Sequence, residues 1–495
     1  MLMEAKGVWF GNKSWPSGAS PGAFARDVFR LENCKTDKEK AIVFNKWMLR
    51  CFNRGPNLVL PGMGGYLRSN DPTILFTSWG HNECTGWGWV ATEALQAAGL
   101  KARRAVAFKH GHTFYEVWYK GDNGKEGWHA FDPFIGWYFI NDEGEVASCE
   151  ELAANPDLVL HPRKGSAQPL GYHPERAGVL HRYQVQDLID VIQDVQNEDI
   201  SFNPKIGQTY TVLWRPELPT LASPCGDSHV DGAHCSIDLY DEGGQIRHPE
   251  QYPYWKNYVW ATPNSRGHAN GGQPVRWHGS GALRWQPLLF GDKVVHKAHN
   301  AIFENGTVKP KANKAHCEVW WKIQVPYLAS YLRFGTAVDI GGGDMLGISI
   351  SPDNGQTLHN LFWGGNHPSK VIDLLPNKAP SINGLREFLI RIDMSSQSSA
   401  SNLRVRGFQI NVGYQLNMNI LPRLLPGENE LYLKASNISS DVKLQAEWAY
   451  THPAGEMVDT VSLEKSGENK LKKKLDIKQP YDITMRGVTL KCLPK

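Results

Sequence analysis

The 495-residue chain has no CxxC pair, no long apolar run and no large excess of one charge. Without paired CxxC spacings, the common zinc ribbons and fingers are excluded, and no metal or cofactor is expected. No stretch approaches the length that crosses a bilayer as a helix, so no membrane span is expected. Lys and Arg number 53 against 50 Asp and Glu, a net charge of +3, which creates no field for nucleic acid. The glycine triplet at 341–343 is followed by no P-loop lysine and lies between strand patterns, so it is no phosphate loop. The opening MLMEAKGVWF lacks the apolar core of a secretory leader. Either the protein is cytoplasmic, or a leader was removed from a secreted or periplasmic one, and the compartment stays open.

The chain is instead rich in Trp (18), Gly (48) and Pro (30), a mix that favours turn-rich β structure and aromatic contact surfaces. Its length suggests about two to four domains. The eight cysteines, Cys34, Cys51, Cys84, Cys149, Cys225, Cys235, Cys317 and Cys492, are scattered and permit disulfides without demanding them.

Residues 78–139 carry the chemistry. Cys84 stands at the start of a helical pattern in which Trp87, Ala91, Ala94, Leu95 and Ala98 share one face. Asn82 can cap this helix, and Gly99 can stop it. A free thiol has a pKa of about 8.5, and unpaired N–H groups at a helix start favour its thiolate. Gly86 and Gly88 read as close-approach positions. Downstream, His112–Tyr119 alternates, GDNG at 121–124 signals a hairpin, and Trp128–Phe131 returns antiparallel to end at Asp132. A thiol, an imidazole and a carboxylate in this order are the parts of a nucleophilic cysteine site.

This pattern resembles the transglutaminase-like superfamily of papain-related cysteine enzymes. The resemblance rests on Cys84, AAGLKAR at 97–103, HTFYEVWY at 112–119 and WHAFDP at 128–133, with TDKEKAIVFNKWMLRCF at 36–52 as the preceding helix. It implies Cys84 as nucleophile, His112 as general base and acid, and Asp132 as the group that orients the imidazole. The indole N–H of Trp79 is a candidate oxyanion donor beside the Cys84 amide, and Trp87 and Glu116 are candidate substrate contacts. Phe114 stands where the family commonly has Trp, and Thr85-Gly86-Trp87 is bulkier than usual.

Elsewhere, Thr36 and Glu39 form a capping-box pattern for a helix over 36–53. Tyr183–Gln196 reads as a helix. CGDSHVDGAHC at 225–235 reads as a polar loop holding a disulfide, free thiols or, less simply, a metal. Trp255, Trp260, Trp277 and Trp285 can fill a β core or stack on sugar rings. From about 315, CEVWWKIQVP, YLRFGTAVDI, MLGISISPD, EFLIRIDM, LRVRGFQINVGY, ENELYLKAS and VKLQAEWAYTH follow one another at the spacing of a sandwich. SPDNGQT at 351–357 resembles the Asp-box hairpin of sialidase-type proteins, a folding device. This part resembles the accessory β-sandwiches of bacterial carbohydrate-active proteins.

The expected fold class is α+β: a papain/transglutaminase-like core of helices on an antiparallel sheet, then a β-rich region ending in a β-sandwich. The expected domains are 1–200 (cysteine enzyme), 201–310 (Trp-rich and β-rich) and 311–495 (sandwich, carbohydrate-binding). The expected function is hydrolysis of an amide bond through a Cys84–His112–Asp132 triad and a thioester, with transamidation if an amine replaces water. The amide would be that of a peptide, an isopeptide or a glycan-linked amide, so the expected partner is a peptide or a glycopeptide or polysaccharide substrate. One alternative is a degenerate enzyme that binds polysaccharide or protein through its Trp-rich β regions. Another is a polysaccharide lyase or glycosidase, although Glu83, Glu93 and Glu116 form no acid pair by spacing.

Overall fold

The computed structural model describes residues 3–51, 53–54, 71–82, 84–107, 112–133, 136–167, 185–189, 199–214, 279–374, 382, 384–397, 399, 402–477 and 482–495. The fold is mixed α+β. An N-terminal region of helices and small sheets is followed by a large antiparallel sheet.

Local signals account for the N-terminal helices. Ser20 caps Pro21–Leu31 by accepting from the Ala23 N–H at 3.1 Å, and Pro21 occupies the first turn. Asp37–Cys51 begins with the expected reciprocal box. Thr36 Oγ1 accepts from Glu39 N–H at 3.2 Å, and Glu39 accepts from Thr36 N–H at 3.1 Å. Cys84–Ala97 ends where Gly99 adopts φ +91°, and Leu100 N–H returns to the Leu95 carbonyl. Phe24, Phe44, Trp47, Trp87, Val90 and Leu95 are buried together in one core.

The Cys84–Ala97 helix packs on a four-stranded antiparallel sheet. Its order is Glu126–Phe131, His112–Lys120, Lys101–Ala107, Val185–Ile189. A Cβ on Gly88 would lie 2.8 Å from Thr113 Cγ2, so helix and strand approach as closely as they do because Gly88 has no side chain. The helix expected over 183–196 is not formed within its described part. Val185–Ile189 is a strand that pairs antiparallel with Arg104–Ala107. Its apolar spacing suits either element over five residues, and the open edge of the sheet decides between them. Residues 183, 184 and 190–196 lie outside the described residues.

The large sheet turns on one 24-residue strand, Leu328–Ser351. Its first half pairs with Leu403–Leu416 and its last part with Glu387–Ser395, while His359–Leu374 runs beside both. The two strand patterns expected on either side of the glycine triplet are thus one strand. The triplet sits at the change of partner, where the register shifts between Ile340 and Met345 and Gly343 has φ +82°. The sheet folds over a continuous core: the Trp321 ring lies 5.1 Å from Phe408, and Val319, Ile348, Ile390, Phe334 and Ile410 are buried with them.

At 351–357, Asp353 accepts from Ser351 Oγ at 2.8 Å and from the Thr357 N–H and hydroxyl at 2.8 and 2.7 Å. Asn354 and Gly355 take the left-handed conformations the turn needs. These bonds hold the Asp353 carboxyl down at about 2.

The two ends of the chain are tied together. Trp9–Asn12 pairs antiparallel with Leu431–Lys434, and Gly11 leaves room for the Tyr432 ring, 2.5 Å from where its Cβ would stand. Asn417, buried, bridges the parts: its side chain donates to the Phe76 carbonyl at 2.9 Å, and its N–H donates to the Thr77 carbonyl at 2.9 Å. Asn417→Ala leaves the Phe76 carbonyl without this donor and is expected to destabilise the protein by roughly 1–3 kcal/mol, measured by urea unfolding.

Candidate functional site

Cys84 is the first residue of its helix and is half-buried. The Asn82 side chain lies against the first turn, and a Cβ on Gly86 would stand 2.5 Å from its Oδ1, which is why Gly86 is needed there. Thr85 Oγ1 is 3.2 Å from Thr113 Oγ1, so the start of the helix leans on the residue that follows His112. His112 opens its strand opposite Ala107, and its imidazole lies outside the described residues. Asp132 directly follows the adjacent strand and is fully buried. Its N–H donates to the Trp137 carbonyl at 3.0 Å, and its own carbonyl accepts from Gly136 at 2.8 Å. Burial, with the Asp132 charge nearby, holds the Tyr115 phenol well above its ordinary range.

The other residues singled out in this region are interior. Trp79 ends the π-helical turn Leu75–Trp79 and Trp87 lies on the core face of its helix; both are buried. Glu116 is fully buried and paired with Arg103 at 2.7 Å, and it accepts from the Cys149 N–H at 2.8 Å. Trp285 is buried and donates to the Ile206 carbonyl at 3.1 Å, a core role. Trp255, Trp260, Trp277, Glu83 and the loop at 225–235 lie outside the described residues.

A second constellation, not singled out from the sequence, lies on the outward face of the large sheet. Residues directly opposite one another on paired strands share a face. One such row is His299, Glu318, Asp393, Gly347 and Trp363. The next is Lys297, Trp320, Arg391, Ser349 and Asn360. Alternate positions on these strands, Val319, Trp321, Ile390, Ile392, Leu346 and Ile348, point into the core.

Trp363 is 58% exposed, and it is the one tryptophan among the exposed large hydrophobic side chains of the described residues. Its ring lies over Gly347, where a Cβ would come within 2.7 Å of Cε3 and Cζ3. Because Gly347 has no side chain, there is room for the Cε3–Cζ3 edge of the indole against the sheet, and more than half of the side chain stays in water. The same Cβ would lie 3.5 Å from the Asp393 Cβ, so Trp363 and Asp393 flank Gly347 from the two neighbouring strands.

The polar groups beside it are oriented by one another. Arg391 donates to Glu318 Oε1 at 2.7 Å and also to Asp393 Oδ2. Trp320 Nε1 donates to Glu318 Oε2 at 3.1 Å, and His316 Nε2 lies 3.0 Å from Asp393 Oδ2. Donor atoms of His316, Glu318 and Asp393 lie within 4.8 Å of one another, a spacing a metal ion could use. Arg391 already donates to both carboxylates and Trp320 donates to the second Glu318 oxygen, so an added cation would have to displace these donors. A strand pattern with alternate polar residues (Glu318, Trp320, Lys322; Arg391, Asp393) was the available sequence signal, together with FWGG at 362–365.

No family model matches the chain, and no curated protein matches it. Among solved structures, the chain is similar in part to TmCBM61, a structure described in complex with beta-1,4-galactotriose. The identity is 14%, over 27% of this chain and 86% of that one, with a TM-score of 0.15, a likeness too slight to carry an argument. Nothing among these comparisons supports the transglutaminase-like resemblance of residues 36–140.

One buried acid in the N-terminal region has a measurable consequence. Glu93 is 2% exposed, and burial, reinforced by the Asp71 charge, pushes its carboxyl up to about 8. The folded chain therefore holds this proton more tightly than the unfolded chain does. The resulting stability is complete below about pH 4.5 and is lost as pH rises toward about 8. Glu93→Gln is expected to raise the urea midpoint relative to wild type at about pH 9 and to leave it unchanged at about pH 4.

Proposed function

We propose that this protein binds polysaccharide on the outward face of its large sheet. The observation that carries the reading is Trp363, 58% exposed over Gly347 on the same sheet face as oriented carboxylate, guanidinium and indole N–H groups. Sugar rings offer an apolar C–H face ringed by hydroxyls. A flat aromatic platform with hydrogen-bonding groups at its border complements both features. An aromatic side chain left in water on a sheet face also has a hydration cost that ligand stacking relieves. Trp363→Ala is expected to weaken retardation in polysaccharide-containing native gels at least tenfold, about 1.4 kcal/mol, with an unchanged melting temperature. Undiminished retardation of Trp363→Ala would sink the reading.

A second reading is acyl transfer at Cys84, with His112 and Asp132 as its base and orienting group and an amide as substrate. It is favoured by the contrast between thiols. Burial pushes Cys51, Cys317 and Cys492 up to about 12 and Cys149 well above its ordinary value, and it raises Cys34 as well. Cys84 is half-buried at a helix start, where a thiolate is favoured. Iodoacetamide at about pH 6 is then expected to alkylate Cys84 first, and His112→Ala to abolish that selectivity. Uniformly slow labelling of all thiols would count against this chemistry.

A further inference from the structure

Resting on the polysaccharide-binding reading, we infer that the ligand is an uncharged oligosaccharide chain laid across the strands, gripped through Asp393 without a metal ion. Three observations converge on this. The first is charge. The two rows carry Glu318 and Asp393 against Arg391 and Lys297, so formal charges cancel with histidine neutral. A uronate or sulfate placed among them would face two carboxylates and find the guanidinium already engaged with both. A neutral chain meets no such cost.

The second is a leftover acceptor. Asp393 Oδ2 is taken by Arg391 and His316, whereas Oδ1 receives no hydrogen bond from any described residue. The network that holds Oδ2 fixes where Oδ1 points. Asp393 also stands across Gly347 from Trp363, on the same row and the same face. A hydroxyl on a sugar stacked over the indole has Oδ1 as its acceptor, and a hydrogen bond to a charged group is the stronger kind.

The third is length. Glu318, Asp393, Gly347 and Trp363 lie on four neighbouring strands in one row. Three inter-strand steps span about 14 Å, more than a single sugar ring covers. The row therefore suits an internal stretch of chain, with one ring on Trp363 and the next toward Asp393 and Glu318.

The test uses the full chain in native gels containing galactan, mannan, xylan or polygalacturonate, followed by calorimetry with oligosaccharides of whichever neutral polymer binds. Expected are retardation by at least one neutral polymer, none by polygalacturonate, and no change with EDTA. A trisaccharide should bind at least tenfold tighter than the monosaccharide. Asp393→Asn should weaken binding about tenfold at an unchanged melting temperature, with Glu318→Gln as a second probe should Asp393→Asn misfold. Equal retardation by polygalacturonate, loss with EDTA, or monosaccharide affinity matching the trisaccharide overturns the inference. So does full affinity in Asp393→Asn, or in Glu318→Gln should it stand in, while Trp363→Ala remains defective; polysaccharide binding itself would then stand. Failure of every polymer to bind, or Trp363→Ala binding as wild type, overturns the binding reading too.

Discussion

The strand Leu328–Ser351 belongs to both halves of the large sheet, and the pairing at its two ends sets what the outer face can present. At its far end Gly347 lies between Asp393 on one side and Trp363 on the other. Had the register slipped by one residue, every side chain of the strand would have changed faces. Leu346 and Ile348, now in the core, would have met water, and Gly347 would have left a void inside. The buried side of the sheet thus enforces the arrangement on the exposed side.

The polar network on that face is economical in the same sense. Glu318 has both oxygens engaged, and Asp393 has one. Side chains held this way lose little further freedom when a ligand arrives, so the ordering that usually opposes binding has largely been completed during folding. Trp320 contributes twice, as donor to Glu318 and as a ring 5.3 Å from the Arg391 guanidinium.

The N-terminal region has a different character. Its helices pack on a small sheet through close approaches, Gly88 on Thr113 and Gly86 beside Asn82, and its carboxylates at Glu116 and Asp132 are buried among protein groups. The region is not separable from the rest of the chain in packing terms. Leu328 and Ile420 share its core, and Asn417 is bonded to the turn that ends at Trp79. Cys84 therefore sits on an element braced from both sides.

What could be read from the chain alone was whatever its own neighbours enforce. The Thr36–Glu39 box, the Gly99 stop, the turn at 121–124 and the Asp353 turn each close within a few residues, and each formed as expected. So did the alternating strands after 315, because a half-buried strand writes its period into the sequence. Val185–Ile189 is a strand and not part of a helix because a five-residue apolar spacing suits two elements, and a distant sheet edge selects one. The row from Glu318 to Trp363 draws on segments far apart in the chain, and no local pattern says which residues stand opposite. Sequence by itself determined the elements and their buried faces, through periodicity and short-range hydrogen bonds. Tertiary structure alone decided which polar and aromatic residues meet on the outer face, because cross-strand register is set by the packing of the whole core.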